Sequence, residues 1–190
     1  NSMGAACQAA GDPAAAEASF RQALALRPDY PDAWQNLGLL HAARGERGAA
    51  LDCYRQAFGH GGRNSGLLTH FGLALCADDA AAEAIGLFEQ ALREHPDHPG
   101  ALLGMGEAHY TLGQLRQACA CFERVLALDP ESVPGGIGLG AALLSAAEWG
   151  GARQCFEGVL ARDPQHAEAP WNRALPCLAR HQALADAHRR

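Results

Sequence analysis

The chain has 190 residues, of which 48% are hydrophobic and 19% charged, with a formal net charge of −6. All 15 cationic side chains are arginine and no stripe gathers them, so the basic footprint that nucleic acid requires is missing. No 18-residue apolar run is present, and no basic-then-apolar leader opens the sequence, so neither a membrane span nor a signal peptide is expected.

The turn Gly11-Asp12-Pro13, with Asp12 as N-cap and Pro13 at the first helical position, predicts a helix over 13–26. Helices are then expected in pairs, over 31–44 and 47–58, over 65–77 and 80–93, and over 99–112 and 114–128. The first of these pairs exits through Gly59-His60-Gly61-Gly62 instead of a proline, which predicts the loosest junction of the array. In the second pair Ser65 is the expected cap of the first helix. Asp78 or Asp79 is expected to cap its partner, replacing a missing turn glycine. The next pair opens with Val133-Pro134-Gly135-Gly136-Ile137-Gly138-Leu139-Gly140. A phosphate-binding glycine loop would need a strand before it, and no strand pattern exists here. A helix that admits close backbone approach is expected instead, and a soft one, since an interior glycine costs about 1 kcal/mol against alanine. After Pro164 the pattern degrades, with Trp171 one place late and Pro176 inside what would be a first helix.

Shifting the chain against itself by 34 residues aligns these pairs. Gly4, Gly38, Gly72, Gly106 and Gly140 fall on one lattice; so do Ala16, Ala50, Ala84, Ala118 and Ala152. The aromatics Phe20, Tyr54, Phe88, Phe122 and Phe156 form a third series, and Pro28, Pro96, Pro130 and Pro164 a fourth, with Gly62 standing in once. Trp34-x2-Leu37-Gly38, then Ala50-x3-Tyr54, then a closing proline resembles the tetratricopeptide repeat over nearly the whole chain. The resemblance implies an all-α fold, a right-handed superhelical α-solenoid of antiparallel helix pairs. It divides residues 1–190 into a partial repeat (1–30), full repeats 31–64, 65–98, 99–132 and 133–166, and a degenerate repeat or cap (167–190). Small side chains at the glycine and alanine positions are expected to let paired helices approach, while Leu37 and Tyr54 fill the gap between pairs. One pair cannot bury its apolar face alone, so stacked neighbours supply the core.

Chemistry is hard to place on this background. The seven cysteines (Cys7, Cys53, Cys76, Cys119, Cys121, Cys155 and Cys177) show neither disulfide nor zinc spacing, and the odd count points to a reducing, cytoplasmic compartment. Cys53, Cys121 and Cys155 share the slot before the helix-B aromatic, where a small apolar side chain suits a helix seam. His41 and His109 share a slot but lie two repeats apart, too far to hold one ion. His95 and His98, with Glu94 and Asp97, read as solvated loop residues. No metal or other cofactor and no enzymatic activity are expected.

What remains is surface. The resemblance implies a concave groove lined by the first helices. Here those positions include Gln35, Asn36 and Leu39, then Thr69, His70 and Leu73. Further along come Leu103, Glu107 and Tyr110, then Ile137 and Leu144, with Trp171 and Asn172 beyond. None is Lys or Arg, which argues against the carboxylate clamp of chaperone-binding relatives. Asn36 and Asn172 match the asparagine ladder of O-linked N-acetylglucosamine transferases, but His70, Gly104 and Gly138 interrupt it. The expected function is a non-catalytic scaffold that takes a protein or peptide partner, an apolar or amphipathic segment, in the groove. Two rivals stand beside it: a regulatory or targeting arm of a longer enzyme such as a glycosyltransferase, and a homo-oligomer built through terminal repeats.

Overall fold

The computed structural model describes residues 13–162, which form nine α-helices and no strand. They are α1 (Pro13–Leu26), α2 (Pro31–Ala43), α3 (Arg47–Gly59), α4 (Ser65–Cys76) and α5 (Ala81–Glu94), then α6 (Pro99–Thr111), α7 (Leu115–Leu128), α8 (Val133–Ser145) and α9 (Trp149–Arg162). Each helix given a range from sequence begins and ends within one residue of it. The Asp12 cap and the readings at Gly4, Cys7, Trp171, Asn172, Pro176 and Cys177 lie outside the described residues.

Two compact units divide between Pro96 and Asp97. In unit 1, α1 packs on α2, α2 on α3, α3 on α4 and α4 on α5. In unit 2, α6 packs on α7, α7 on α8 and α8 on α9, and α6 also reaches α8. The pairs are antiparallel hairpins, as Gly62 meets Pro31 while Gly38 meets Tyr54.

The lattice glycines and aromatics explain the hairpin. A Cβ at Gly38 would lie 2.6 Å from the Tyr54 ring, and one at Gly72 or Gly106 would lie 2.7 Å from Phe88 or Phe122. Gly140 stands in the same relation to Phe156. These rings are buried, as are Ala16, Ala50, Ala84, Ala118 and Ala152. The aromatic assigned from sequence to the gap between pairs therefore first fills the gap inside its own pair. Any side chain in the glycine slot would force the ring out of close-packed surroundings.

Three local readings change. Asn64, not Ser65, caps α4: its extended backbone (φ −61, ψ 148) lets its Oδ1 accept from the Leu67 N–H at 2.8 Å, and Ser65 is already helical. Neither Asp78 nor Asp79 caps α5, whose N-cap is Ala80 with no side-chain bond. Asp79 replaces the turn glycine through its backbone, at φ 59, the left-handed region that Gly45 and Gly113 occupy in neighbouring turns. Gly62 is not slack either. It is buried, its N–H donates to the Ala57 carbonyl at 2.9 Å, and a Cβ there would meet Leu67 at 2.6 Å. Arg63 clamps the same junction, donating to the carbonyls of Phe58 (2.6 Å) and Gly62 (2.7 Å) with its guanidinium 3.6 Å above the Phe58 ring.

Candidate functional site

On the first-helix face of unit 1, Gln35, Asn36 and Leu39 are half-buried on α2. The Gln35 Oε1 accepts from the Asn64 side-chain amide at 3.1 Å, which ties α2 to the start of α4. Thr69 does not belong to this face. Only 4% exposed, its hydroxyl donates its one proton to the Ser65 carbonyl at 2.7 Å, and burial covers the rest of the group. His70 is half-buried and lies nearly parallel to the Tyr54 ring, with 6.4 Å between centroids and 19° between planes. Leu73 is exposed one turn further on.

Leu39, His70 and Leu73 help to line an open pocket of about 390 Å³. Ala42, Arg47, Tyr54 and Ala77 also belong to its lining, which thus includes the Tyr54–His70 ring pair. Sequence reasoning placed Leu39, Ala42, His70, Leu73 and Ala77 on the first-helix face; it read Tyr54 only as packing and passed over Arg47, because both belong to the second helix. Burial raises the Tyr54 pKa to about 12 and the adjacent Cys53 to about 11, so both stay protonated at neutral pH.

On unit 2, Leu103 and Ile137 are half-buried, and Leu103 packs against the cluster of Ala118, Phe122, Leu139 and Ala142. Leu144 is half-buried against Ala152 and Phe156. Tyr110 is 39% exposed, and its hydroxyl lies 3.2 Å from the Ser145 hydroxyl, bridging α6 to α8. Glu107 sits one turn before Tyr110; desolvation of its carboxyl pushes its pKa up, and it forms no ion pair with a described residue. Trp171 and Asn172, expected beyond Leu144, lie outside the described residues.

The histidine slots serve the backbone. His41 Nδ1 lies 2.5 Å from the Glu46 carboxylate, and His109 Nδ1 lies 2.6 Å from Gln114 Oε1, each fastening a first helix to the start of its second. His98 caps α6 by accepting from the Ala101 N–H at 3.2 Å. Among the described residues, no three His, Cys, Asp or Glu side chains converge as metal ligands would, Cys53, Cys119, Cys121 and Cys155 are free thiols, and no helix is long and apolar enough to cross a membrane.

A family model described as tetratricopeptide repeat matches residues 8–60 and 75–135. No curated protein matches the chain. Among solved structures, MamA 41-end from Desulfovibrio magneticus RS-1 is 17% identical with a TM-score of 0.78, over 86% of this chain and 93% of that one. YrrB, described as a TPR protein with an unusual peptide-binding site, is 18% identical with a TM-score of 0.77, over 86% and 84% of the two chains. PilW, described as a widely conserved type IV pilus biogenesis factor, is 24% identical with a TM-score of 0.75, over 85% and 74%. At these identities the likeness is one of fold.

Proposed function

The chain belongs to the tetratricopeptide repeat family, and from that premise we propose that it is a non-catalytic interaction scaffold whose first-helix faces hold an apolar or amphipathic segment of a protein partner. The observation that carries this reading is Tyr110, 39% exposed beside the half-buried Leu103 and Leu144. A large aromatic left open on an apolar face is the commonest kind of interface anchor. Glu107, a carboxylate one turn away with no ion-pair partner among the described residues, favours a basic residue in the bound segment. The peptide-binding site described for YrrB is consistent with such use of the fold.

The test is partner capture by Tyr110→Ala against Arg55→Ala. Arg55 is exposed on a second helix and pairs with Asp52 at 3.5 Å. Loss of a hot-spot aromatic costs about 2 kcal/mol or more, roughly thirtyfold in affinity. Tyr110→Ala is expected to lose the partner with helicity kept, and Arg55→Ala to retain it. The reverse outcome would move binding to the second helices.

A reducing, cytoplasmic setting belongs to the same proposal. It expects all seven thiols to titrate as free groups in freshly purified, denatured protein. A disulfide between any two of them would remove that part of the reading.

A further inference from the structure

We infer that the unit 1 pocket is a specificity hole for an aromatic side chain of the bound segment, and that an Asp or Glu next to that side chain meets Arg47. The inference rests on the proposal that first-helix faces take a partner, and it adds what one subsite selects. Shape is the first argument. The pocket, about 390 Å³, falls within the usual range for small-ligand sites (roughly 300–1,000 Å³), with a mainly aliphatic lining that includes two stacked rings.

The second argument comes from the chain's own repeat. Two repeats on, the positions of Ala42 and Ala77 are held by Tyr110 and Ser145, whose hydroxyls meet at 3.2 Å. In unit 2 a tyrosine ring thus crosses the interval that stands open in unit 1. The protein itself shows what kind of side chain suits the space.

Charge supplies the third. Arg47 is the only charged residue lining the pocket. It forms no ion pair with a described residue, although Glu46, Asp78 and Asp79 stand in the two adjoining turns, and Glu46 faces His41. Its lattice equivalent in unit 2 is Leu115. The cation therefore accompanies the open pocket and is absent where the tyrosine fills the space, as expected if it serves an incoming carboxylate.

The experiment is to pan phage-displayed random linear peptides on the full chain, subtracting with an Ala42→Tyr/Ala77→Ser variant that copies the filled arrangement. Circular dichroism checks the variant's helicity. Recovered peptides are expected to share Tyr, Phe or Trp with Asp or Glu within two positions. A synthetic consensus peptide should lose at least about thirtyfold in affinity when its aromatic becomes alanine. Arg47→Gln, an exposed change that leaves the packing alone, should weaken the peptide by about fivefold at low salt and flatten its salt dependence. Peptides without aromatics, or peptides that bind the filled variant and Arg47→Gln as well as the parent, would overturn the pocket assignment while leaving the first-helix proposal standing. Recovery of no binding peptide at all would count against both. Should the double variant fail to fold, the alanine peptide and Arg47→Gln still decide the matter.

Discussion

At Gly138 the backbone of α8 comes down on the Phe122 ring so closely that a Cβ would lie 2.5 Å from it. At the equivalent position in unit 1 stands His70, whose imidazole lies over Tyr54 at 6.4 Å between centroids. A second exchange accompanies the first: Ala42 in unit 1 becomes Tyr110 in unit 2. Bulk on the later first helix in unit 1 (His70) is matched by bulk on the earlier one in unit 2 (Tyr110), and each is paired with a small residue opposite. Close packing demands that the interval be filled from one side or the other. In unit 1 the filling is incomplete and leaves a pocket; in unit 2 the tyrosine spans to Ser145. One repeat lattice thus accommodates two ways of joining neighbouring hairpins, and they differ in what they offer a ligand.

The harshest way to break this contrast is Gly138→His, which writes the unit 1 residue into unit 2. Phe122 is held between Gly106 and Gly138 and has no room to withdraw. We expect a loss of about 3 kcal/mol, at the upper end for overpacking, read as a lowered denaturation midpoint and as faster amide exchange in α7 and α8 than in α3 and α4. Unchanged stability would show that the two intervals differ less than the glycine contacts indicate.

A smaller effect is expected at the junction between repeats 2 and 3. Gly62→Pro restores the residue that the repeat pattern carries, yet it removes the N–H bonded to Ala57 and pushes a ring toward Leu67. We expect it to destabilise by about 2 kcal/mol, whereas Pro130→Gly at the corresponding exit of unit 2 should cost less than about 1 kcal/mol. Equal costs in denaturant melts would erase the distinction between the two exits.

Tyr110→Ala should cost about 1–2 kcal/mol, below the range for a fully buried aromatic because the ring is partly open. It should leave unit 1 protection unchanged in hydrogen exchange. The smallest effect belongs to Glu107. Its folded-state pKa lies above the unfolded value, so the folded chain binds the proton more tightly, and its ionisation costs stability as pH rises through that pKa. Glu107→Gln should therefore raise the melting temperature slightly at pH 7 and not at pH 4. A lowered midpoint at pH 7 would mean that the carboxylate has a stabilising partner.

The hairpins were legible in the sequence because glycine, alanine and aromatic recur at one interval, and each of those residue types has a steric meaning wherever it falls. Caps were less legible: Asn64 and Ser65 are both good capping residues, and only the backbone angles at 64 decide between them. Gly62 reads as looseness in a sequence and proves to be a tight contact, since a glycine's surroundings are not written in its neighbours. Thr69 shows the same limit, its inward turn following from the hairpin that covers it. The pocket was half visible, through Leu39, Ala42, His70, Leu73 and Ala77. Its decisive feature, an alanine where another repeat has tyrosine, gains meaning only when the two units are compared.

The pairing of each lattice glycine with the aromatic of its own hairpin bears on how such a chain can change over generations. Gly38 with Tyr54, Gly72 with Phe88, Gly106 with Phe122 and Gly140 with Phe156 each lie inside one repeat. An unequal crossover that adds or deletes one whole repeat of the gene carries both partners of that contact together. It leaves no ring without its glycine, wherever along the reading frame the exchange begins. The residues exposed to mismatch at the new boundary are those of the neighbour-to-neighbour interval, such as Gly138 against Phe122 or Tyr110 against Ser145. Recombination would thus spare the contact inside each hairpin and place its changes at the intervals between hairpins, where packing and ligand preference are decided together.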